Sequence, residues 1–523
     1  MSDLNAIDAR ADRRTIRSIG HDSDRSVDAV LTEAPPEADA DAEVVRFDSA
    51  VDGRRDDVVD QALSDPRHER VIEDPAAVVG GRAEPAATAG RWMAGRWMSI
   101  VAVVDQCLFS GTNFLTSVAL GRFVGPGELG QYALAFSIVV IVVGLQRAVL
   151  MSPYLIVRGR MDRDSVNSLR AAMLIASMTM AAIGSTVALL GGWYASQSSA
   201  MTAGIWWATA VAFPAAMLRD FARRLELNHL RLFAATRIDL AVLVLQVSAI
   251  AWLHATGRLS AATMLAAASA IWALVGMVAI LTERRRYDFV RPQLRRAAEN
   301  LWPIGRWVSL TGLVVTAQSF LLPWVMAVAG SVRLAGIYAA CWTLVQVVSP
   351  MIEGIGNLVG PKLAGTAEDR SWPAMYRLVT RTTAVFAVIM TSLMVGIVVL
   401  GRWALHGIYG EQYVSAFVVL LVLGLAATIN NLGIPALKAL VQLGHARWNF
   451  WISAIGFACT LVSAVGLLRW AGMAGAAWGL MIGNAVATGM RLWTFSRVDR
   501  TVPSSAQSPY RPHSAGQSDG GGR

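Results

Sequence analysis

From about residue 98 onward, apolar runs of roughly twenty residues alternate with short polar connections. Twelve runs stand out, at 98–121, 130–157, 166–192, 200–219, 236–256, 261–281, 303–329, 336–362, 374–401, 412–433, 448–468 and 475–496. Each is long enough to cross about 30 Å of hydrocarbon as a helix, and a helix satisfies its own backbone polar groups in lipid. The pattern predicts an all-α integral membrane protein. Residues 1–97 lack this periodicity and are rich in Asp, Ala, Arg and Pro. Such a segment buries too little apolar surface to offset the entropy of ordering, so a disordered acidic tail is expected. It has no short apolar core behind a basic start, which argues against a signal peptide. Residues 498–523, with Ser, Pro, Gly and Gln, read as a second disordered tail.

The two halves of the apolar region repeat each other. Gly130-Gln131-Tyr132-Ala133 is echoed by Gly336-Ile337-Tyr338-Ala339, an offset of 206 residues. Phe114-Leu115 falls on Phe320-Leu321 at the same offset. Repeated halves in a polytopic membrane protein point to a transporter with its site between the halves. The longest connection, 282–302, is strongly basic and divides the chain into six predicted helices over 98–281 and six over 303–497.

Charge in the connections sets the expected orientation. One alternating set holds twenty-two Arg and Lys, the other five: Arg122, Arg258, Arg333, Arg402 and Arg469. The first set is expected in the cytosol, with both termini there. Both halves then begin in the same sense, so the repeats are parallel.

Composition sharpens this picture. The chain is 54% hydrophobic and 16% charged, against roughly a quarter charged in soluble domains. Its net charge of +9 combines an acidic first ninety residues with a strongly basic remainder. Lysine occurs only at Lys362 and Lys438, so the positive charge is almost all arginine, which pairs well with phosphate. Cys107, Cys341 and Cys459 lie within apolar runs, without metal-type or disulfide spacing. No cofactor and no nucleic acid is expected.

Ionisable residues within membrane spans are costly and usually face a cavity or a partner. Asp105 and Arg147 fall at similar depth in the first two helices, roughly 22–26 Å from their outer ends at 1.5 Å per residue, and are expected to be able to pair. Arg147 maps at the repeat offset onto Glu353, placing opposite charges at equivalent depths. Arg147 is therefore a candidate anion-binding residue, and Glu353, Asp105 and Asp239 are candidate coupling-ion residues. Asn113 and Gln318 form a candidate polar layer, either lining a cavity or bridging helices. Arg219, Lys362 and Arg381 are candidates for a basic vestibule. Gly111, Gly312 and Pro323 are expected to interrupt the first and seventh helices.

Several enzyme readings fail at this point. The outer connections are short, with Glu128 and Glu411 as their clear acids, and there is no Walker A motif. His254 and His406 fall at outer helix ends, where solvation accounts for them.

Certain segments resemble a known family. Leu120-Gly121-Arg122-Phe123-Val124-Gly125-Pro126-Gly127-Glu128-Leu129-Gly130-Gln131-Tyr132-Ala133-Leu134-Ala135 resembles the "R-x-L-G-P-x-x-F-G-x-Y-A-L-A" opening of bacterial polysaccharide flippases. Leu440-Val441-Gln442-Leu443-Gly444-His445-Ala446-Arg447 is similar to their "L-x-A-x-G-x-x-R" turn, and Ala471–Gly479 to the entry of their final helix. The resemblance is to the O-antigen or exopolysaccharide translocases of the multidrug/oligosaccharidyl-lipid/polysaccharide exporter superfamily. It implies twelve transmembrane helices in two six-helix lobes around a central cavity, in the plasma membrane. It implies alternating access, with flipping of a polyprenyl-diphosphate-linked oligosaccharide to the outer leaflet. Membrane lipids, H+ or Na+, and a polysaccharide polymerase or glycosyltransferase are the implied partners. Two alternatives remain open: a cation-coupled multidrug antiporter of the same fold, and a scaffold for a polysaccharide assembly complex.

Overall fold

In a computed structural model, the described residues are 85–151, 154, 163–197, 200–229, 231–289, 294–369 and 371–498. Of the tails expected at 1–97 and 498–523, residues 1–84 and 499–523 lie outside them, while residues 85–97 are helical, contrary to the disorder expected there. The first lobe comprises α1 (Pro85–Phe123), α2 (Pro126–Gln146), α3 (Arg163–Ser196), α4 (Ala200–Asn228), α5 (Leu232–Ala255) and α6 (Ala261–Thr282). In the second lobe, α7 is Leu294–Ala329, and α8 runs as Val332–Val345 and Ser349–Glu368 around a 3-10 turn at Gln346–Val348. Two further helices are α9 (Trp372–Ala404) and α10 (Phe417–Gln442). One run, Ala446–Arg497, bends at Gly472 (φ 56°, ψ −140°) into arms that are α11 (446–471) and α12 (473–497). A left-handed φ of this kind suits a residue without Cβ, and it converts one long apolar run into two spans.

Nine helical runs among the described residues are long and apolar enough to cross a membrane, the Ala446–Arg497 run counting once. Helices α1 and α4 complete the first lobe. The fold is all-α, with twelve transmembrane helices in two parallel six-helix lobes.

Helix ends differ from the expected ones for identifiable reasons. Pro126 at the first turn of α2 starts that helix four residues early, where its missing N–H costs nothing. Ser260 caps α6 by a reciprocal capping box with Thr263. The basic linker expected at 282–302 is shorter, since α7 already begins at Leu294. Helix α1 continues through Gly111, and α7 through Gly312 and Pro323, so none of the three ends its helix.

The lobes meet through equivalent positions. A Cβ on Gly130 would strike the Val332 carbonyl oxygen, and a Cβ on Gly336 would strike the Pro126 carbonyl oxygen. Val332 and Gly336 lie 206 residues after Pro126 and Gly130, so the α2–α8 contact is its own image under the repeat. A second, nearly reciprocal pair surrounds it, one partner being shifted by a residue from the repeat offset. Thr343 Oγ1 of α8 meets Ser117 Oγ of α1 at 3.2 Å, while Trp324 Nε1 of α7 donates to Ser137 Oγ of α2 at 2.8 Å. Ser137 and Thr343 are themselves 206 residues apart.

Candidate functional site

A cavity of about 840 Å³ lies between the lobes, lined by α1, α2, α4 and α6 on one side and by α7 and α8 on the other. That volume is in the range of small-molecule sites. One end is closed. Beside the Gly130–Gly336 contact, Tyr413 Oη donates to the Gly121 carbonyl (3.2 Å), Arg122 donates to the His406 carbonyl (3.0 Å), and Ser117 meets Tyr409 Oη (3.1 Å). At the opposite end the lining residues Cys107, Gln346, Val347 and Glu353 are exposed, and the cavity opens there.

Arg147 lines this open half. It sits where α2 widens into a single π turn, Arg147–Met151, a local distortion often found at functional positions. Its guanidinium makes a two-point contact with Asp220 of α4: Nε to Oδ2 at 2.8 Å, and Nη2 to Oδ1. The bidentate geometry fixes the plane of the guanidinium against the cavity wall. Arg147 therefore does not pair with Asp105, as sequence depth suggested.

Asp105 is instead buried behind the cavity. Arg223 Nη2 donates to its Oδ2 at 2.6 Å, and Arg223 Nε donates to Asp239 Oδ2 at 2.5 Å. Arg219 Nη2 reaches the other oxygen of Asp239 at 2.6 Å. Both guanidinium groups also lie over the Phe109 ring, at 4.8 Å for Arg223 and 5.2 Å for Arg219. Asp239 is fully buried and Arg223 only 2% exposed. Such charges persist out of water only when each is paired, and here one arginine spans two aspartates on two different helices. Asp105 and Asp239 do not line the cavity; Arg219 and Asp220 do.

Glu353 lines the cavity on α8, with Gln106 Nε2 of α1 donating to its Oε2 at 2.7 Å. Asn113 also lines the cavity. Gln318 does not. Its amide donates to Thr460 (2.9 Å) and to Asn484 Oδ1 (3.0 Å), so it bridges α7, α11 and α12 inside the second lobe. Lys362 and Arg381 are exposed and are not among the cavity-lining residues.

Asp220 is the site residue that sequence reasoning missed. The expected fourth segment ended at 219, but α4 continues to Asn228 and carries Asp220 and Arg223 inward. The available signal was the spacing Arg219-Asp220-x-x-Arg223, which puts two charges of opposite sign and a third one turn later on one helix. Among the described residues no group of His, Cys, Asp and Glu is arranged to hold a metal.

No family model matches the chain, and no curated protein matches it. Solved structures do. An inward-facing multidrug resistance MATE family transporter of the MOP superfamily is 15% identical, with a TM-score of 0.58 over 77% of this chain and 96% of that one. An outward-facing MATE family transporter is 14% identical, with a TM-score of 0.58 over 76% of this chain and 94% of that one. A mutant of the Vibrio cholerae MATE transporter VcmN is 13% identical, with a TM-score of 0.56 over 76% and 95%. At this level of identity the likeness establishes the fold: two six-helix membrane lobes, as in the MATE transporters of the MOP superfamily.

Proposed function

We propose that this protein is an alternating-access flippase for polyprenyl-diphosphate-linked oligosaccharide in the plasma membrane. The observation that carries the reading is Arg147, a guanidinium placed on the wall of the interlobe cavity by an aspartate. Its pairing with Asp220 holds the charge in place without burying it, and a diphosphate oxygen is the kind of group it would take. The flippase-like Leu120–Ala135 and Leu440–Arg447 segments support the same superfamily. Inward-facing and outward-facing structures are both known for the fold, which supports alternating access.

A second reading rests on Glu353. This carboxylate faces the cavity and is paired with an amide, so it is available to an organic cation or a proton, as in cation-coupled multidrug antiport. The deciding experiment is a leaflet assay. Proteoliposomes holding the full chain and a fluorescent polyprenyl-diphospho-disaccharide are expected to expose the sugar on both leaflets. Arg147→Ala is expected to abolish that exposure. Efflux of tetraphenylphosphonium without any movement of the sugar lipid would favour the antiporter instead.

A further inference from the structure

The turn Leu440–Arg447 ends in an arginine that the cavity does not use. Arg447 is the second residue of α11, where its charge opposes the helix dipole, and no acid stands in that turn to offset it. Its guanidinium lies over the Trp307 ring of α7, 5.7 Å from the centroid. Arg306 lies over the same ring at 5.6 Å. Two cations thus share one indole, whose quadrupole attracts both and neutralises neither. Among the described residues neither arginine makes an ion pair or a hydrogen bond, and both are exposed. Their N–H donors face open space.

The pair stands at the open end of the cavity but outside it. Ser309, three residues after Arg306 on α7, donates to the Ala148 carbonyl in the π turn that carries Arg147. The shared ring continues into an aromatic shelf: Phe450 is 5.5 Å from Trp307, and Trp451 is 5.2 Å from Phe450. Trp451 lies one turn beyond Arg447 on the same face of α11, roughly 6 Å further into the membrane span. It is 50% exposed, and the neighbouring Trp448 is 63% exposed.

These features select a ligand class. Two uncompensated guanidiniums repel an organic cation and call for an anion with several oxygens, and phosphate matches a guanidinium best. Exposed indoles one turn deeper suit the membrane–water interface, where an amphipathic ring sits beside glycerol and the first methylenes. A nucleotide or an acidic peptide in water would use the arginines and leave both indoles bare. An anionic lipid uses all of them, with its charge outermost and its apolar part below, in the order in which Arg447 and Trp451 stand on α11. We propose that the α7–α11 junction is a binding site for an anionic phospholipid. Arg306 and Arg447 hold the headgroup phosphate, and Trp448 and Trp451 cover the glycerol and upper acyl region. The site lies outside the cavity and is independent of what the protein transports. A lipid held there ties α11 to α7 one turn from the place where α7 meets the wall that carries Arg147.

The test is native mass spectrometry of the full chain in detergent, titrated with phosphatidylglycerol or with phosphatidylcholine of the same acyl chains. Phosphatidylglycerol is expected to bind at least tenfold more tightly, at roughly fivefold for each arginine. Arg306→Gln with Arg447→Gln is expected to remove most of that preference. Phosphatidylcholine binding and the unfolding temperature should stay unchanged, which reports that the variant is folded. Arg377→Gln with Arg381→Gln, a second exposed pair on α9, is expected to leave the preference within twofold of the parent. Trp451→Ala is expected to weaken both lipids a few-fold, because its ring meets the part they share. No preference in the parent, or equal losses in the two glutamine variants, overturns the site in favour of general surface charge. Displacement of the lipid by a hundredfold excess of sn-glycerol 1-phosphate overturns it in favour of a soluble phosphate.

Discussion

Gly130 of α2 and Gly336 of α8 face each other across the pseudo-twofold relation of the lobes, each lacking the Cβ that would strike the opposite backbone. Because the obstructing atoms are carbonyl oxygens of Val332 and Pro126, a side chain at either position cannot be accommodated by a rotamer change. Overpacking of this kind costs about 1–3 kcal/mol. Here the cost falls on the state in which α2 and α8 touch. Gly130→Leu is therefore expected to shift the lobes away from the present conformation and close the opposite mouth. Maleimide labelling of the exposed Cys107, in a Cys459→Ser background, is expected to slow several-fold. Unchanged labelling would show that the glycine contact does not govern which end is closed.

The Arg147–Asp220 pair is expected to behave as one unit. Alanine at both positions should cost less than the sum of the single changes, with a coupling of about 1–3 kcal/mol in a thermal-unfolding cycle. Arg147→Lys keeps the charge but loses the two-point fork, so it should recover only part of the stability and of diphosphate binding. Strict additivity of the two alanine changes would mean that the contact contributes nothing.

Arg223 gives a different pattern, because it compensates two aspartates. Arg223→Ala leaves Asp105 without its arginine and Asp239 with Arg219 alone, and a buried pair broken in this way costs about 3–5 kcal/mol. The fourfold change Arg223→Met, Arg219→Met, Asp105→Asn, Asp239→Asn removes the charges together. It is expected to unfold at a higher temperature than Arg223→Ala alone, since replacing a whole buried ionic group is often neutral. If the fourfold variant is the less stable, the network is held by geometry that apolar substitution cannot replace.

Much of the scaffold was legible in the sequence, and the reasons are physical. Apolar run length reports spans directly, and the repeated Gly-x-Tyr-Ala element marks the very positions where α2 and α8 touch. The charged network was less legible. Arg219, Arg223 and Arg224 look like a cytosolic loop under a charge-counting rule, because hydropathy ends a span where charge begins. Arg223 in fact lies within α4 and is neutralised by aspartates from α1 and α5, which no local pattern announces. Arg147 and Glu353 do line one cavity, as the repeat offset suggested, but their partners are Asp220 and Gln106. Of the two roles open to Gln318, it takes helix bridging: its position on α7 turns the amide toward α11 and α12 rather than the cavity.

Glu353 separates the two transport readings by the sign of one change. Among the described residues the charged ones that line the cavity are Arg147, Arg219, Asp220 and Glu353, two of each sign. Glu353→Gln shifts that balance toward positive while its amide oxygen can still accept from Gln106. If the substrate is a diphosphate, farnesyl diphosphate is expected to bind a few-fold more tightly to the variant, and more so at low ionic strength, where screening is weak. If the substrate is an organic cation, tetraphenylphosphonium affinity is expected to fall instead, because the carboxylate that would compensate it is gone. Coupling gives a second readout. Should protonation of Glu353 drive the cycle, the variant fixes the neutral state, and transport is expected to lose its dependence on a pH gradient while substrate binding persists. A variant with unaltered affinity for both probes and unaltered gradient dependence would assign Glu353 to holding α8 against Gln106 of α1, and nothing more.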